Sequence, residues 1–318
     1  MSYNATVVLD SLDVMSEVCG VHDANLKVLE ELLQTPIRSR GNELFLDDSA
    51  GEKRDVLVKV VSELQDHIHL GQPASPALIR ALFASVTDGD ATNVEQLKQV
   101  TVTIPSSGRS VFPRSHAQAA YLSGMDDYDM TFCVGPAGTG KTYLAVAHAL
   151  SEVLSRKKRK LVLTRPVVEA GERLGFLPGD LAQKINPYLK PLYDAMETLA
   201  SVETVQRLEE NRVIEIAPLA YMRGRSLDDC YIILDEAQNT TREQMKMFLT
   251  RMGEGSKVVI TGDVTQIDLP NRNQSGLLHA IELLRDIPDI SFSWFTARDV
   301  VRNPLVRKII DAYEMGGG

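Results

Sequence analysis

The residues with the clearest chemical purpose are GPAGTGKT, positions 135–142. Their spacing is G-x-x-x-x-G-K-[ST]. Gly135, Gly138 and Gly140 let a loop curl until its N–H groups converge on phosphate oxygens. Pro136, Ala137 and Thr139 complete that cradle. Lys141 is placed to reach the β- and γ-phosphates of a nucleotide, and Thr142 to give its hydroxyl to Mg²⁺. The flanks, MTFCV before and YLAVAHALSEVL after, supply the strand and helix that this loop requires. The helix then presents its positive end to the same phosphates.

Such a loop needs an acidic partner at the tip of another strand. YIILDEAQN (231–239) provides one, four apolar residues leading to Asp235 and Glu236. Asp235 is the expected Mg²⁺ ligand, directly or through water, and Glu236 the base or positioner of an attacking water. The same pair could merely start a helix, where acids are favoured; the loop at 135–142 weighs for the catalytic reading. No guanine-reading N-K-x-D occurs, which favours ATP over GTP. Gln118, in FPRSHAQAAYL, is either a reader of the adenine edge or a surface glutamine.

A third acid-bearing turn is TGDVTQIDLP (261–270), after the apolar run KVVIT. If KVVIT lies beside the MTFCV strand, its tip points at the γ-phosphate. Asp263 and Gln266 would then sense that phosphate; the alternative is turn chemistry before Pro270.

The elements that must hold these residues alternate. Strand candidates are 130–134, 160–164, 213–217, 231–235, 257–261 and 290–295, mostly with amphipathic stretches between them. Apolar strands separated by helices predict a parallel sheet covered on both faces. Ahead of them, helical spacing is expected over 21–34, 52–71 and 75–86, with a hairpin between IRSRG and NELFLDD. The predicted division is a small α+β domain at 1–87, a linker at 88–112 in which VTVTI could pair as a strand, and an ATPase domain at 113–318.

Composition sets the limits. With 44% hydrophobic and 24% charged residues in 318, the chain is ordinary globular protein, long enough for about two domains. No apolar run approaches a membrane span, and no secretory signal is expected from MSYNATVVLDSLD. Cys19, Cys133 and Cys230 are too few and scattered for a disulfide framework or zinc site, and are expected to be buried or partly buried in a reducing cytoplasm. The six histidines form no ligand cluster, so Mg²⁺ is the one metal expected. Residues 1–110 carry 9 Lys and Arg against 16 Asp and Glu; residues 111–318 carry 25 against 27. An acidic first third is a poor electrostatic partner for nucleic acid, so any contact with RNA needs a local basic patch. RKKRK (156–160) is brief and reads as a solvated turn before it reads as such a patch.

Taken in order, GPAGTGKTYLAV, LTRPVVEAGERLGFLPGDLAQKINPYLKPLYD, APLAYMRGRSL, ILDEAQNTT, TGDVTQIDLP and ARDVVRNPLVRKIIDAY resemble the bacterial PhoH-like ATPases, over about residues 111–313. A weaker resemblance over 15–70 is to the small KH-like domain of that family. The fold class implied is α/β: a P-loop NTPase with a RecA-like, superfamily-one helicase-like core, plus a KH-like α+β domain. The resemblance also implies Mg²⁺-dependent ATP hydrolysis, frequent hexamers, a link to RNA metabolism and, for some relatives, association with a YbeY-type rRNA-maturation endoribonuclease. GVHDANL departs from the KH pattern, offering Gly20 but no GxxG loop. That departure suits a docking or assembly module.

One RecA-like lobe exposes its nucleotide on one side, and an arginine supplied in trans is worth roughly 10³–10⁵ in phosphoryl-transfer rate. A ring of copies would supply it, with Arg302 favoured over Arg298, Arg223 and Arg225. By analogy with helicases, Arg165 and Arg173 are the candidate RNA contacts. The expectation is a cytoplasmic, hexameric RNA remodeller or helicase tied to rRNA maturation. The alternative is an ATP-gated scaffold that docks a ribonuclease or ribosomal partner. A small-molecule kinase is disfavoured, because Asp235, Glu236 and Gln266 together suit water activation.

Overall fold

The computed structural model describes residues 5–46, 51–88, 100–167 and 181–300. Backbone contacts divide the chain into two compact units, Met1–Thr101 with Phe112–Ala119, and Val102–Val111 with Ala120–Gly318.

The first unit is α+β. Strands β1 (Ala5–Val8), β2 (Ile37–Arg40) and β3 (Glu43–Leu46) form an antiparallel sheet of order β1-β3-β2. The β2–β3 pair is the hairpin expected from its alternating residues. Helices α1 (Leu12–Cys19), α2 (Ala24–Leu33), α3 (Glu52–His69) and α4 (Pro76–Asp88) complete the unit. Leu29, Leu44, Leu46, Leu57, Leu64 and Ile79 are fully buried in one core, each worth about 1.5–3 kcal/mol of transfer free energy. Ser75 starts α4, its hydroxyl accepting from Leu78 N–H. Sequence periodicity did not expose β1 or α1. The local signal for α1 is Ser11, whose side chain caps the helix at Val14 N–H.

The second unit opens with a two-stranded hairpin, β4 (Val102–Ile104) and β5 (Arg109–Val111). Residues placed in the linker by sequence therefore pair with one another and belong to the second unit. Helix α5 (His116–Asp127) follows, begun in the first unit and finished in the second.

Then come β6 (Met130–Val134), α6 (Lys141–Leu154), β7 (Lys160–Arg165), α7 (Leu181–Leu199), α8 (Val202–Glu210), β8 (Ile214–Pro218), β9 (Cys230–Leu234), α9 (Arg242–Leu249), β10 (Lys257–Gly262), α10 (Gly276–Leu284) and β11 (Ile290–Trp294). The six strands from β6 onward make one parallel sheet of order β11-β6-β10-β9-β7-β8. Every strand candidate of the sequence is present.

Both faces are covered, which is why these strands read as continuous apolar runs. Phe132, Val162, Ile232, Leu234 and Ile260 pack with Met245, Phe248 and Leu277 of α9 and α10. Helix α6 packs against β7, β9 and β10. Most polar groups in such an interior have partners. Tyr231 has them: its hydroxyl meets His148 Nδ1 at 2.9 Å, and His148 Nε2 meets Asp126 Oδ1 at 3.0 Å. Lys257, at the start of β10, donates to the carbonyls of Met125, Asp126 and Tyr128 at the end of α5. A cation there also complements the negative helix end.

Cys19, Cys133 and Cys230 are free and buried. Among the described residues no helix is long and apolar enough to cross a membrane.

Candidate functional site

A pocket of about 240 Å³ opens at the carboxyl ends of β6, β9 and β10. Its walls include Ala137, Lys141, Thr142, Asp235, Asp263 and Gln266. In an open α/β sheet this is where ligands bind.

The loop from β6 to α6 is shaped by its glycines. Gly138 and Gly140 have φ of 79° and 86°, a region costly for residues with a Cβ. At Gly135 a Cβ would come within 2.6 Å of both the Phe295 side chain and its carbonyl. The loop is tied to β10 by Gly135 N–H, which donates to Gly262 O at 3.1 Å. Lys141 is only 8% exposed, and its ammonium donates to Gly135 O (2.6 Å) and Pro136 O (2.8 Å). Burial pushes its pKa below the usual lysine range, opposed by Cys133 and the Asp263, Asp235 and Glu236 carboxylates.

The acid pair sits where the sequence put it. Asp235 is 5% exposed at the end of β9. Its Oδ1 accepts from Thr142 Oγ1 at 2.7 Å and Thr261 Oγ1 at 2.6 Å. Thr142 and Asp235 together offer a hydroxyl and a carboxylate, the oxygen donors that suit Mg²⁺ alongside phosphate oxygens. Among the described residues no group of three or more His, Cys, Asp or Glu side chains gathers around a metal position.

Glu236 lines the same pocket with a left-handed backbone, φ 53° and ψ 39°. Its Oε1 accepts from Arg165 Nη2 at 2.6 Å and its Oε2 from Gln238 Nε2. Asp263, at the tip of β10, is buried and receives Ala137 N–H on Oδ2 at 3.0 Å. Its Oδ1 receives Thr265 N–H and Oγ1 at 2.9 and 2.6 Å. Gln266 is exposed on the pocket wall, with its N–H on Asp263 O.

The remaining candidates have the following surroundings. Gln118 belongs to the first unit; its carboxamide oxygen accepts from Arg114 N–H at 2.7 Å. Arg165, read from sequence as an RNA contact, lays its guanidinium on the acid pair, with Nε 3.8 Å from Asp235. Arg223 is exposed, whereas Arg225 is held bidentately by Glu215 at 2.6 and 2.9 Å. Arg173 and Arg302 lie outside the described residues, as does the side chain of Arg298. In RKKRK, Lys157 pairs with Glu152 and Lys160 with Glu215, as suits a structural turn. Sequence reasoning missed Tyr143, which lines the pocket directly after the P-loop threonine, and Gln238, which sits inside DEAQN and bridges two strand tips.

The Arg225 pairing yields a pH prediction. Arg225, and then Lys160, hold the Glu215 carboxyl down at about 2 against the opposing effect of burial. Its folded pKa lies below the unfolded value of about 4.3, so the stabilisation is full above that value and lost as pH falls through 2. Glu215→Gln is expected to cost about 1–2 kcal/mol at pH 7, after solvent screening of a partly exposed pair. Thermal melts should show the gap from wild type closing between about pH 5 and pH 2.

The PhoH-like protein family model matches residues 110–314. The chain is 48% identical over 305 residues to a PhoH-like protein of Mycobacterium tuberculosis, covering 95% of this chain and 85% of that one. It is 45% identical over 308 residues to a PhoH-like protein of Bacillus subtilis, covering 96% of each. To Protein PhoH of Escherichia coli K12 it is 40% identical over 205 residues, 64% of this chain and 58% of the other.

Proposed function

The chain belongs to the PhoH-like family, and from that premise we propose that it binds ATP with Mg²⁺ and hydrolyses it to ADP and phosphate. The observation that carries this reading is the 2.7 Å contact between Thr142 and Asp235, residues 93 positions apart. That contact sets the P-loop hydroxyl against the carboxylate that such chemistry needs, with Glu236 lining the same pocket.

The phosphates would lie against the N–H groups of 138–142, at the positive end of α6. Lys141 exchanges its loop carbonyls for phosphate oxygens. Thr142 and Asp235 would hold Mg²⁺, which when bound offsets the charge on the transferring phosphate. Glu236 orients a water and accepts its proton. Gln266 faces the γ-phosphate, and Asp263 ties the tip of β10 to the loop through Ala137. Loss of that phosphate is then felt on β10.

RNA is the proposed target. The family resemblance supports this part of the reading, and the one RecA-like sheet among the described residues supports a hexameric ring with Arg302 in trans; a YbeY-type ribonuclease is the proposed partner. The acidic N-terminal domain favours one rival, an ATP-gated scaffold that docks a ribonuclease or ribosomal component.

Phosphate release measured with and without single-stranded RNA tests both parts. Hydrolysis is expected to be Mg²⁺-dependent and stimulated several-fold by RNA. Hydrolysis indifferent to RNA would remove the motor and leave the scaffold. No release of phosphate from ATP in the presence of Mg²⁺ would end the ATPase reading.

A further inference from the structure

Glu236 is placed in an unusual way. A non-glycine residue in the left-handed region costs roughly 1–2 kcal/mol, so its surroundings must hold it there. Each carboxylate oxygen has one donor of its own. Oε1 takes Arg165 Nη2, and Oε2 takes Gln238 Nε2. A carboxylate has about four lone-pair sites, so both oxygens keep room for a water.

Both donors are themselves held. Gln238 is 1% exposed, and its Oε1 accepts Asp263 N–H at 3.0 Å. Its carbonyl receives the buried Ser275 hydroxyl at 2.8 Å. Gly262 makes room for it; a Cβ there would lie 2.9 Å from Gln238 Oε1 and 2.5 Å from Leu277. Arg165 donates its other terminal nitrogen to Tyr188 O on α7 at 3.0 Å. A continuous chain of polar contacts thus runs from α7 through Arg165, Glu236, Gln238 and Asp263 to Ala137 N–H in the P-loop. Glu236 and Asp263 line the pocket, while Gln238 and Arg165 stand behind them.

We infer that Gln238 and Arg165 are positioning residues, the two arms of a clamp that fixes the Glu236 carboxylate for water activation and links it to the P-loop. This rests on the reading of Glu236 as the base. Neither arm lines the pocket; Gln238 acts through Glu236, and Arg165 through Glu236 with a longer contact to Asp235. Loss of the Gln238 arm is therefore felt in turnover and not in nucleotide affinity. A misplacement of about 1 Å in a reacting group can cost on the order of 10²-fold in rate.

The test is steady-state hydrolysis and equilibrium binding of a fluorescent ADP by the full chain. Gln238→Glu keeps the acceptor for Asp263 N–H and puts an oxygen where Glu236 had a donor. It is expected to lower kcat by about 10-fold or more, with KM and ADP affinity within about threefold of wild type. Arg165→Lys keeps the charge but not the fork that serves Glu236 and Tyr188 together, so a smaller fall in kcat is expected. Residues that act as a unit are non-additive. Adding Gln238→Glu to Glu236→Gln is therefore expected to change kcat by less than about twofold.

Wild-type kcat in Gln238→Glu, or equal losses in both backgrounds, would overturn the clamp. If Gln238→Glu fails to fold, Arg165→Lys and its combination with Glu236→Gln decide by the same criteria. A Glu236→Gln variant that turns over normally would instead overturn the assignment of the base, and the clamp with it.

Discussion

Glu236→Gln is expected to cut ATP turnover by about 10²–10³-fold, the share that a positioned general base contributes, while leaving nucleotide affinity nearly unchanged. The carboxamide keeps the shape of the side chain and can still accept from Arg165. It cannot take a proton from water. It also meets Gln238 with the choice of a matched or a clashing amide, so a small loss of order at this corner accompanies the chemical loss. Affinity survives because the phosphate cradle at 135–142 and the Thr142–Asp235 pair are untouched. The expected signature is therefore a fall in kcat at constant KM. Single-turnover hydrolysis beside ADP and ATP-analogue binding checks it. Equal losses in binding and turnover would place Glu236 in ligand binding and not in the chemical step.

Lys141→Ala is expected to do the opposite in kind, weakening ATP binding and reducing kcat/KM by about 10²–10³-fold or more. Among the described residues Lys141 is the one cation on the pocket wall, beside Asp235, Glu236 and Asp263. Without it, a polyanionic ligand meets three carboxylates, and the nearest guanidinium, Arg165, is already engaged by Glu236 and Asp235. The Gly135 and Pro136 carbonyls lose their donor too, so some loosening of the loop is expected. Calorimetric titration with Mg-ATP, with a thermal melt as a control for folding, separates lost affinity from lost structure. Near wild-type affinity in a folded variant would contradict the placement of the phosphates against Lys141. Together the two variants separate binding from chemistry, because their side chains serve one pocket at different steps.

Legibility followed the range of the forces involved. The loop at 135–142 was readable because its chemistry is local: glycines, a lysine and a hydroxyl within eight residues shape their own backbone. Asp235 and Glu236 were readable because a buried strand that ends in acids must open onto a polar site. The KVVIT strand was expected beside MTFCV, and β10 does pair with β6 along its length. Arginines were harder. Arg225 looked available until its partner Glu215 appeared ten residues away on an edge strand, and Arg165 looked outward until it was found against Glu236. Long charged side chains choose partners in space, and four or more rotatable bonds give them reach that spacing does not encode. The hairpin of β4 and β5 shows the same limit at the level of domains. Its own pairing is local, while the unit it joins is not.

The sequence by itself determined the six strand segments of the large sheet, the glycine loop at 135–142, the acid pair and the membership of the chain in its family, because each is written in residues close together along the chain. Only the tertiary structure decided which side chains serve that loop. Gln238 and Asp263 are 25 residues apart and Arg165 and Glu236 71, and they meet because a parallel sheet brings the carboxyl ends of distant strands to one edge. A buried polar group must find a partner there or lose about 1–3 kcal/mol. The partner it finds is set by strand order, which no local pattern states.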